Sequence, residues 1–252
     1  MKQRVLVIDI GGTAVKLFLE DHKDRFPSGR WLTADRMADH VLERTKDWEY
    51  DIVSMGFPGK VLAGKPAHEP WNLADGWVDF DFTERFQRPV RLINDAAMQA
   101  LGNYEGGRML FVGLGTSVGA TLIVDNVIIA LEPGSLPHPG GDTLEERLRR
   151  KTLERVGRPR WRRAVMEALP ALQRAFMADY VVVGGGNRKL ISKWPEFCRK
   201  GKDRASLRGG ARLWNTRLLE TVYIFQPTSE PPSDPARKPG DAPKAEPEKT
   251  QG

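Results

Sequence analysis

Residues Val5 to Leu19 read VLVIDIGGTAVKLFL, and this stretch decides the fold. The aliphatic and β-branched run up to Ile10 is typical of a buried strand, and the Gly11-Gly12-Thr13 segment after it is typical of a tight turn. Aliphatic side chains then recur at every second position from Val15, which predicts a strand that runs back along the first. The chain therefore opens with a strand, a glycine turn and a second strand.

The same pattern returns from Met109 onward. An apolar run ends at Leu114, the segment Gly115-Thr116-Ser117 supplies a second glycine and hydroxyl turn, and Ala120 to Val124 predicts the returning strand. A duplicated hairpin, each copy followed by helices, is what a fold of two similar lobes around a cleft requires. We therefore predict an α/β protein with an N-terminal lobe over residues 1–100 and a C-terminal lobe over residues 101–226.

Periodicity and turn residues predict the other elements. Further strands are predicted at Asp51–Phe57, Arg88–Ile93 and Tyr180–Val183, with Trp31–Thr33 as a candidate third strand. Helices are predicted at Ala34–Lys46 with Thr33 as the cap, Ala96–Leu101, Asp142–Val156, Arg160–Ala178 and Trp214–Phe225, and a short one ends at Trp194. Residues 227–252 are rich in proline and charge, which predicts a disordered tail beyond a globular body that ends near Gln226.

The composition excludes several classes of protein. Among the 252 residues a single cysteine, Cys198, leaves no disulfide framework and no cysteine-based zinc cluster, so we expect no structural zinc and a reducing, cytoplasmic setting. No apolar run approaches the roughly 18 residues of a membrane span, and the N-terminal apolar run is too short for a signal peptide. We therefore expect no membrane partner.

The chain has a net charge of +6, and nine of its cations lie between Arg147 and Arg163. One interpretation is a surface that binds a polyanion. The other is a solvated helix face whose cations pair with Glu145, Glu146 and Glu154 at helical spacing. The sequence shows no helix-turn-helix and no clear basic and aromatic platform, so nucleic acid is not expected as a partner.

Two acidic positions follow buried strands. Asp9 stands near the end of the first strand, where a carboxylate has no evident structural use and would suit the water shell of Mg²⁺. Asn94-Asp95 ends another strand and begins a helix, so either residue would serve as a helix cap. Alternatively, Asp95 would accept a proton from a substrate hydroxyl while Asn94 holds a neighbouring hydroxyl.

Other polar residues stand in apolar or turn-rich settings. Asn72 lies between Trp71 and Leu73, and Glu132 lies in a Leu-Glu-Pro-Gly segment. A sugar needs such a mixture, because its hydroxyls bind amides and carboxylates while its C–H face packs on apolar groups. The glycine turns themselves have two interpretations, since exposed backbone N–H groups bind phosphate and plain hairpins also prefer glycine.

Six segments in order resemble the ROK sugar kinases, and within them the polyphosphate glucokinase branch. The segments are Asp9-Ile-Gly-Gly-Thr-Ala-Val-Lys16, Gly56-Phe-Pro-Gly59, Asn72-Leu73 with Trp77, Ile93-Asn-Asp-Ala96, Gly113-Leu-Gly-Thr-Ser-Val-Gly119 and Val183-Gly-Gly-Gly186. The resemblance covers residues 5–214. It implies an actin-like, hexokinase-like ATPase fold with two ribonuclease-H-like lobes, a hexose substrate, Mg²⁺ with ATP or polyphosphate as the phosphoryl donor, and a homodimer.

The resemblance also implies a role for each matching residue. Asp95 matches the catalytic base and Asn94 its sugar-binding neighbour. The other sugar-binding matches are Asn72, Glu132 and Glu145. The phosphate-binding matches are Gly11, Gly12, Thr13, Lys16, Gly115, Thr116 and Ser117, and the nucleotide-binding matches are Gly184, Gly185 and Gly186. Asp9 opens the first of the six segments and, from its place at the end of a strand, is the candidate for holding Mg²⁺ through water.

The sequence departs from the family pattern in two ways. The family's cysteine-rich zinc motif is absent, as it also is from the polyphosphate branch, and one motif position differs. Ser135 stands where the family's Glu-x-Gly-His motif has histidine, and His138, bracketed by prolines, is either a substitute for it or a plain loop residue. We expect a kinase that phosphorylates the 6-hydroxyl of a hexose, with glucose as the leading candidate. The alternative is a non-catalytic sugar-binding or regulatory relative. A DNA-binding repressor of the same family is disfavoured, because we see no helix-turn-helix segment before the first strand.

Overall fold

The structure, a computed structural model, describes residues 3–137, 142–214 and 223–224. Its strands are β1 (Val5–Ile10), β2 (Ala14–Leu19), β3 (His22–Pro27), β4 (Ile52–Phe57), β5 (Val61–Leu62), β6 (Lys65–Pro66), β7 (Val90–Asn94), β8 (Arg108–Leu114), β9 (Val118–Val124), β10 (Val127–Leu131), β11 (Tyr180–Gly184), β12 (Cys198–Lys200) and β13 (Tyr223–Ile224). Its helices are α1 (Ala34–Arg44), α2 (Phe82–Phe86), α3 (Asp95–Asn103), α4 (Leu144–Leu148), α5 (Arg150–Val156), α6 (Arg158–Ala175) and α7 (Ala205–Arg212). Two short 3₁₀ helices, η1 (Pro133–Ser135) and η2 (Gly186–Leu190), complete the described elements.

The first sheet has the strand order β3-β2-β1-β4-β7. Strand β1 pairs antiparallel with β2 and parallel with β4, so the predicted opening hairpin is confirmed. Its register sets Asp9 opposite Lys16, which brings an acid and an amine together across the hairpin.

The third strand is β3 rather than the candidate Trp31–Thr33, which leads into α1. Periodicity does not reveal β3, because it is an edge strand in which one of six residues, Phe26, is buried.

The second sheet repeats this plan, with the order β12-β11-β8-β9-β10-β13. Strands β8 and β9 form the second predicted hairpin, in which Gly113 faces Gly119. Strand β11 runs parallel to β8, as β4 does to β1 in the first sheet. Two mixed sheets with duplicated hairpins confirm the predicted α/β fold class, and the lobe bounds 1–100 and 101–226 stay a prediction.

Thr33 caps α1 as predicted, through its side-chain oxygen and the backbone N–H of Arg36. The single helix predicted at Asp142–Val156 is wrong, because the backbone of Arg149 is extended and separates α4 from α5. Gly157, with φ of +78°, then turns the chain between α5 and α6, a conformation that glycine adopts without strain.

The end of the chain differs from the prediction. Helix α7 was not predicted, because Gly209 and Gly210 interrupt its apolar pattern. The helix predicted at Trp214–Phe225 is wrong at Tyr223–Ile224, which form β13 beside β10. The rest of that segment, apart from Trp214, and the predicted tail at 227–252 lie outside the described residues.

Helices α3 and α7 pack with their backbones almost in contact. A Cβ atom on Gly209 would lie 1.8 Å from the carbonyl oxygen of Met98, and one on Gly102 would lie 1.9 Å from that of Ala205. Gly210 likewise faces Val7 on β1, and its carbonyl oxygen accepts a 2.7 Å hydrogen bond from Ser54. These glycines hold α7 against both α3 and the first sheet.

Within the described part of the chain, no helix combines the length and the apolar character needed to cross a membrane.

We predict that Gly209→Ala lowers the free energy of unfolding by about 1–3 kcal/mol, because the added methyl group meets backbone that cannot move aside. In an exposed helix the same change would stabilise by about 1 kcal/mol. Urea denaturation measures the difference, with Ala211→Gly at an exposed position of α7 as the control for helix propensity. A Gly209→Ala variant as stable as the wild type would contradict the close approach of α3 and α7.

Candidate active site

A cleft of about 640 Å³ opens where the glycine turns of the two sheets meet. Twelve residues predicted as functional line it, namely Asp9, Gly11, Gly12, Thr13, Lys16, Asp95, Gly115, Thr116, Ser117, Gly184, Gly185 and Gly186. Asn72, Asn94, Glu132 and Glu145 are not among its lining residues. The structure thus gathers all the predicted phosphate-side groups around one space.

The two glycine turns are each closed by a backbone hydrogen bond, and they contact each other through their threonines. The N–H of Gly11 donates to the carbonyl of Ala14 at 3.1 Å, and the N–H of Gly115 donates to that of Ser117 at 3.1 Å. Across the cleft, the hydroxyl oxygens of Thr13 and Thr116 lie 3.1 Å apart and share a hydrogen bond. A phosphate group at this junction would meet backbone N–H groups and hydroxyls from both sheets.

Gly185 shows why the third glycine segment needs glycine. Its φ is +79°, and a Cβ there would lie 2.2 Å from the carbonyl oxygen of Leu114. Strand β11 and the second glycine turn are therefore held backbone to backbone at this wall of the cleft.

Asp9 is buried at the floor of the cleft, with 3% of its side chain exposed. One carboxylate oxygen accepts a 2.9 Å bond from Lys16 Nζ and a 2.8 Å bond from Ser206 Oγ of α7. The expectation that Asp9 has no structural use is therefore wrong, because its carboxylate joins the hairpin to α7.

Asp95 is the first residue of α3, and its side chain is half-buried beside Asp9. Burial raises the pKa of Asp95 to about 7, and the negative charge of Asp9 adds to the rise. The backbone N–H of Ala96 and the ammonium of Lys16 oppose it. A carboxylate of this pKa exchanges a proton readily near neutral pH, which suits a general base.

Asn94 performs the capping role that the sequence left open between the two neighbours. Its side-chain oxygen accepts from the N–H of Ala97 at 3.0 Å, and its amide donates to the carbonyl of Gly59 at 3.1 Å. Asn94 thereby fixes the start of α3 and leaves the carboxylate of Asp95 to the cleft.

A second acidic group lies next to this cleft. Burial and the charge of Glu145 raise the pKa of Glu132, and the charge of Glu132 in turn contributes to the raised pKa of Asp95. Burial also raises the pKa of Glu145, whose carboxylate accepts a 2.7 Å bond from the N–H of Val118. The three carboxyl groups therefore form one cluster, in which the charge of Glu145 acts on Glu132 and the charge of Glu132 acts on Asp95.

Asn72, in a loop, and Ser135, at the end of η1, border this region. A Cβ on Gly12 would lie 3.2 Å from the amide nitrogen of Asn72, so that amide sits against the first glycine turn. Ser135 donates to the backbone carbonyl of Glu132 at 3.1 Å, so its hydroxyl stabilises η1. His138, the candidate substitute, lies outside the described residues.

The cleft contains charged residues that the sequence analysis did not predict. Seven cationic side chains line it against three carboxylates. The cations are Lys16, Arg25, Arg150, Arg188, Lys189, Lys202 and Arg204, and the carboxylates are Asp9, Asp95 and Asp203. Ser206 was also missed, because α7 was not predicted. The unpredicted charged residues are Arg25, Arg188, Lys189, Lys202, Asp203 and Arg204, which come from three separate segments that no short motif marks.

The donor set of the cleft suits Mg²⁺ held through water. In the described part of the chain, no group of three or more His, Cys, Asp or Glu residues could hold a metal directly. Asp9 and Asp95, however, are like charges in one cleft, and a divalent cation between phosphate and protein would relieve their repulsion.

No model of a known protein family matches the chain. A polyphosphate glucokinase of Mycobacterium tuberculosis is 26% identical over 152 residues, which are 55% of this chain and 57% of that relative. The match thus spans little more than half the length of that curated relative.

Two solved structures are similar over most of the chain. The inorganic polyphosphate/ATP-glucomannokinase from Arthrobacter sp. strain KM has a TM-score of 0.71 and 24% identity, with 83% of this chain and 97% of that chain covered. A ROK family glucokinase from Streptomyces griseus, in complex with glucose and AMPPNP, has a TM-score of 0.64 and 17% identity, with 83% and 98% covered. These likenesses confirm the predicted fold class.

We predict that Asp95→Asn stabilises the folded protein above pH 7 and has little effect near pH 4. Because the folded-state pKa of Asp95 is raised from 3.8 to about 7, the stability that its neutral form provides is lost as the pH rises through 7. Asparagine removes that loss, by about 1–2 kcal/mol for a side chain that remains partly open to the cleft. Melting temperatures at pH 4, 6 and 8 measure it, and a pH-independent difference would contradict the raised pKa.

Proposed function

We propose that this chain, which has the fold of the ROK sugar kinases, transfers a phosphoryl group from an anionic donor to the 6-hydroxyl of a hexose. The observation that carries the proposal is the position of Asp95. Its carboxyl group, with a pKa of about 7, opens into the same cleft as two glycine turns that meet through Thr13 and Thr116.

Asp95 would act as the general base toward the sugar. As the hydroxyl oxygen of the sugar bonds to phosphorus, its proton passes to the Asp95 carboxylate, and the bond from phosphorus to the donor's bridging oxygen breaks. Burial and the charge of Asp9 make Asp95 basic enough to accept that proton. Cleft closure would exclude water, the competing acceptor.

The sugar itself would bind beside Asp95. The carboxyl groups of Glu132 and Glu145, with the amides of Asn72 and Asn94, offer the acceptors and donors that hexose hydroxyls need. Glucose is the leading candidate, and the names of the relatives from Mycobacterium and Arthrobacter also point to glucose or mannose.

The donor would lie along the cationic side of the cleft. Backbone N–H groups of both glycine turns and the ammonium of Lys16 would stabilise charge on the transferred phosphoryl group. Asp9 would hold Mg²⁺ through water, and the ion would supply neutralisation of the donor's phosphate oxygens. Arg188, Lys189, Lys202 and Arg204 line the wall near Gly184–Gly186, where the family resemblance would place a nucleotide. Three of these cations pair with carboxylates, Arg188 with Asp203, Lys202 with Glu105 and Arg204 with Asp21, so this wall suits the phosphates of either polyphosphate or ATP.

The cellular setting and assembly are also part of the proposal. The thiol of Cys198 is buried, and burial raises its pKa to about 12, so it is poorly reactive. A cytoplasmic enzyme that works as a homodimer is the expectation that follows from the family resemblance.

Turnover by the wild type and by Asp95→Asn tests the proposal. We expect a coupled assay to detect glucose 6-phosphate with polyphosphate or ATP, and Asp95→Asn to lower kcat by about 10²–10⁴-fold, since asparagine cannot accept the proton. Calorimetry should show that the variant still binds the sugar. Near-normal turnover by the variant would reduce Asp95 to a structural residue. Sugar binding without turnover in the wild type would favour the non-catalytic alternative.

We predict that Ser135, in place of the family's histidine, lowers the affinity for the sugar. A histidine at this position would reach farther than the serine hydroxyl, which is bound to the carbonyl of Glu132. One neutral hydrogen bond contributes about 0.5–1.5 kcal/mol, so Ser135→His should improve glucose affinity by up to about tenfold. Calorimetry with glucose measures the change. If neither protein binds glucose while another sugar binds the wild type, a hexose kinase remains and the glucose preference is wrong.

A further inference from the structure

A strongly cationic surface begins at the cleft and continues beyond it. We call the cations of residues 150–163 the basic face: Arg150, Lys151, Arg155, Arg158, Arg160, Arg162 and Arg163. The same segment contains one carboxylate, Glu154, so its net charge equals the +6 of the whole chain. All of these cations are exposed except Arg162, which is partly buried.

The carboxylates that could have neutralised the basic face are engaged elsewhere. Glu145 accepts from the N–H of Val118, and Glu146 forms a capping box with Thr143 at the start of α4. In the part of the chain that the structure describes, no salt bridge joins Lys151, Arg158 or Arg160 to a carboxylate. The ion-paired interpretation holds in part, because Arg147 pairs with Glu167 and Glu146 interacts electrostatically with Arg155. The charges of Lys151, Arg158 and Arg160 are available to a ligand.

Two contacts connect the basic face to the cleft. Arg150 lines the cleft, and its backbone N–H donates at 3.0 Å to the carbonyl of Gly115 in the second glycine turn. On α6, the guanidinium of Arg162 lies 3.4 Å from the hydroxyl of Ser192, just after η2, and Lys189 of η2 lines the cleft. The basic face therefore enters the phosphate-binding space at Arg150, and at its other end Arg162 contacts the segment that follows Lys189.

We propose that the basic face binds the distal phosphates of a linear polyphosphate whose terminal phosphate occupies the cleft. This inference rests on the proposed function and extends it to residues outside the cleft. Inorganic polyphosphate carries charge along its whole length, so phosphates that leave the cleft past Arg150 meet further cations on α5 and at the start of α6. A nucleoside triphosphate has no charge beyond its three phosphates, so contacts with the basic face would not increase its affinity.

This surface predicts a dependence on chain length. A short donor such as tripolyphosphate would occupy the cleft alone, whereas a long chain would also contact Arg158 and Arg160. The long chain should therefore bind more tightly, and its advantage should shrink as salt screens the exposed charges.

The double variant Arg158→Glu and Arg160→Glu tests the proposal without touching the cleft. Both positions lie in the first turn of α6, where glutamate also suits the helix dipole, so folding should be preserved. The matched control is Lys46→Glu with Arg174→Glu, which changes the net charge equally at exposed positions. Arg174 stands near the opposite end of α6, about 20 Å from Arg160 at 1.5 Å per residue.

We expect the test variant to raise KM for polyphosphate of about a hundred units roughly tenfold at low salt. KM for tripolyphosphate and for ATP, and kcat with every donor, should stay within about twofold of the wild type, as should all constants of the control. An unchanged KM for the long chain, or an equal rise with ATP, would overturn the proposal.

Direct binding separates this proposal from the proposed function. Titration with long-chain polyphosphate, followed by tryptophan fluorescence or calorimetry, should show tighter binding by the wild type than by the test variant even if no donor supports turnover. If the protein is active with ATP but does not bind polyphosphate, the proposed kinase activity stands and the proposed role of the basic face is wrong. Equal affinity for single-stranded RNA of the same total charge would also overturn the assignment, because the surface would then not select polyphosphate.

Discussion

The backbone contact between α3 and α7 is the constraint on which the candidate site depends. Gly102 on α3 and Gly209 on α7 leave no room for a side chain, so the two helices approach until each backbone touches the other. Helix α3 begins with Asp95, and α7 carries Ser206, which bonds to Asp9. A small shift of α7 would move Ser206, which donates a hydrogen bond to Asp9. It would thereby disturb the Asp9 carboxylate, whose charge contributes to the raised pKa of Asp95. The same contact therefore stabilises the fold and prepares the proposed base.

The like charges in the cleft lower the stability of the folded protein, but they also raise the pKa of Asp95 to a value that suits a general base. Two carboxylates, Asp9 and Asp95, line the same cleft, and the charge of Asp9 adds to burial in raising the pKa of Asp95. Lys16 limits that repulsion, because the hairpin register sets it opposite Asp9. A protein that needed only stability would replace one carboxylate with an apolar group. Retaining both leaves Asp95 with a pKa near neutrality, which is the property that a general base requires.

The charged residues of the cleft are distributed unevenly, with carboxyl groups on one side and cations on the other. On one side Asp95, Glu132 and Glu145 form a cluster of carboxyl groups suited to hydroxyls. On the other side the lining cations outnumber the carboxylates, and Arg150 continues that charge onto the surface. A neutral acceptor and an anionic donor would therefore bind at opposite ends, with the junction of the two glycine turns between them. The proposed sugar kinase activity needs both ends of the cleft, whereas an anion-binding protein needs only the cationic one.

The sequence by itself determined the two hairpins and the glycine turns between their strands, because alternating apolar residues and glycine turns are local signals. It also predicted the importance of Asp95 and left the cap of α3 open between Asp95 and Asn94. Only the tertiary structure decided that Asn94 is the cap, that Asp9 is bound by Ser206, and that cations from five segments face one cleft. The edge strand β3 and the glycine-rich α7 escaped prediction for the same reason. Their formation depends on contacts with residues distant in the chain, and a local pattern does not encode such contacts.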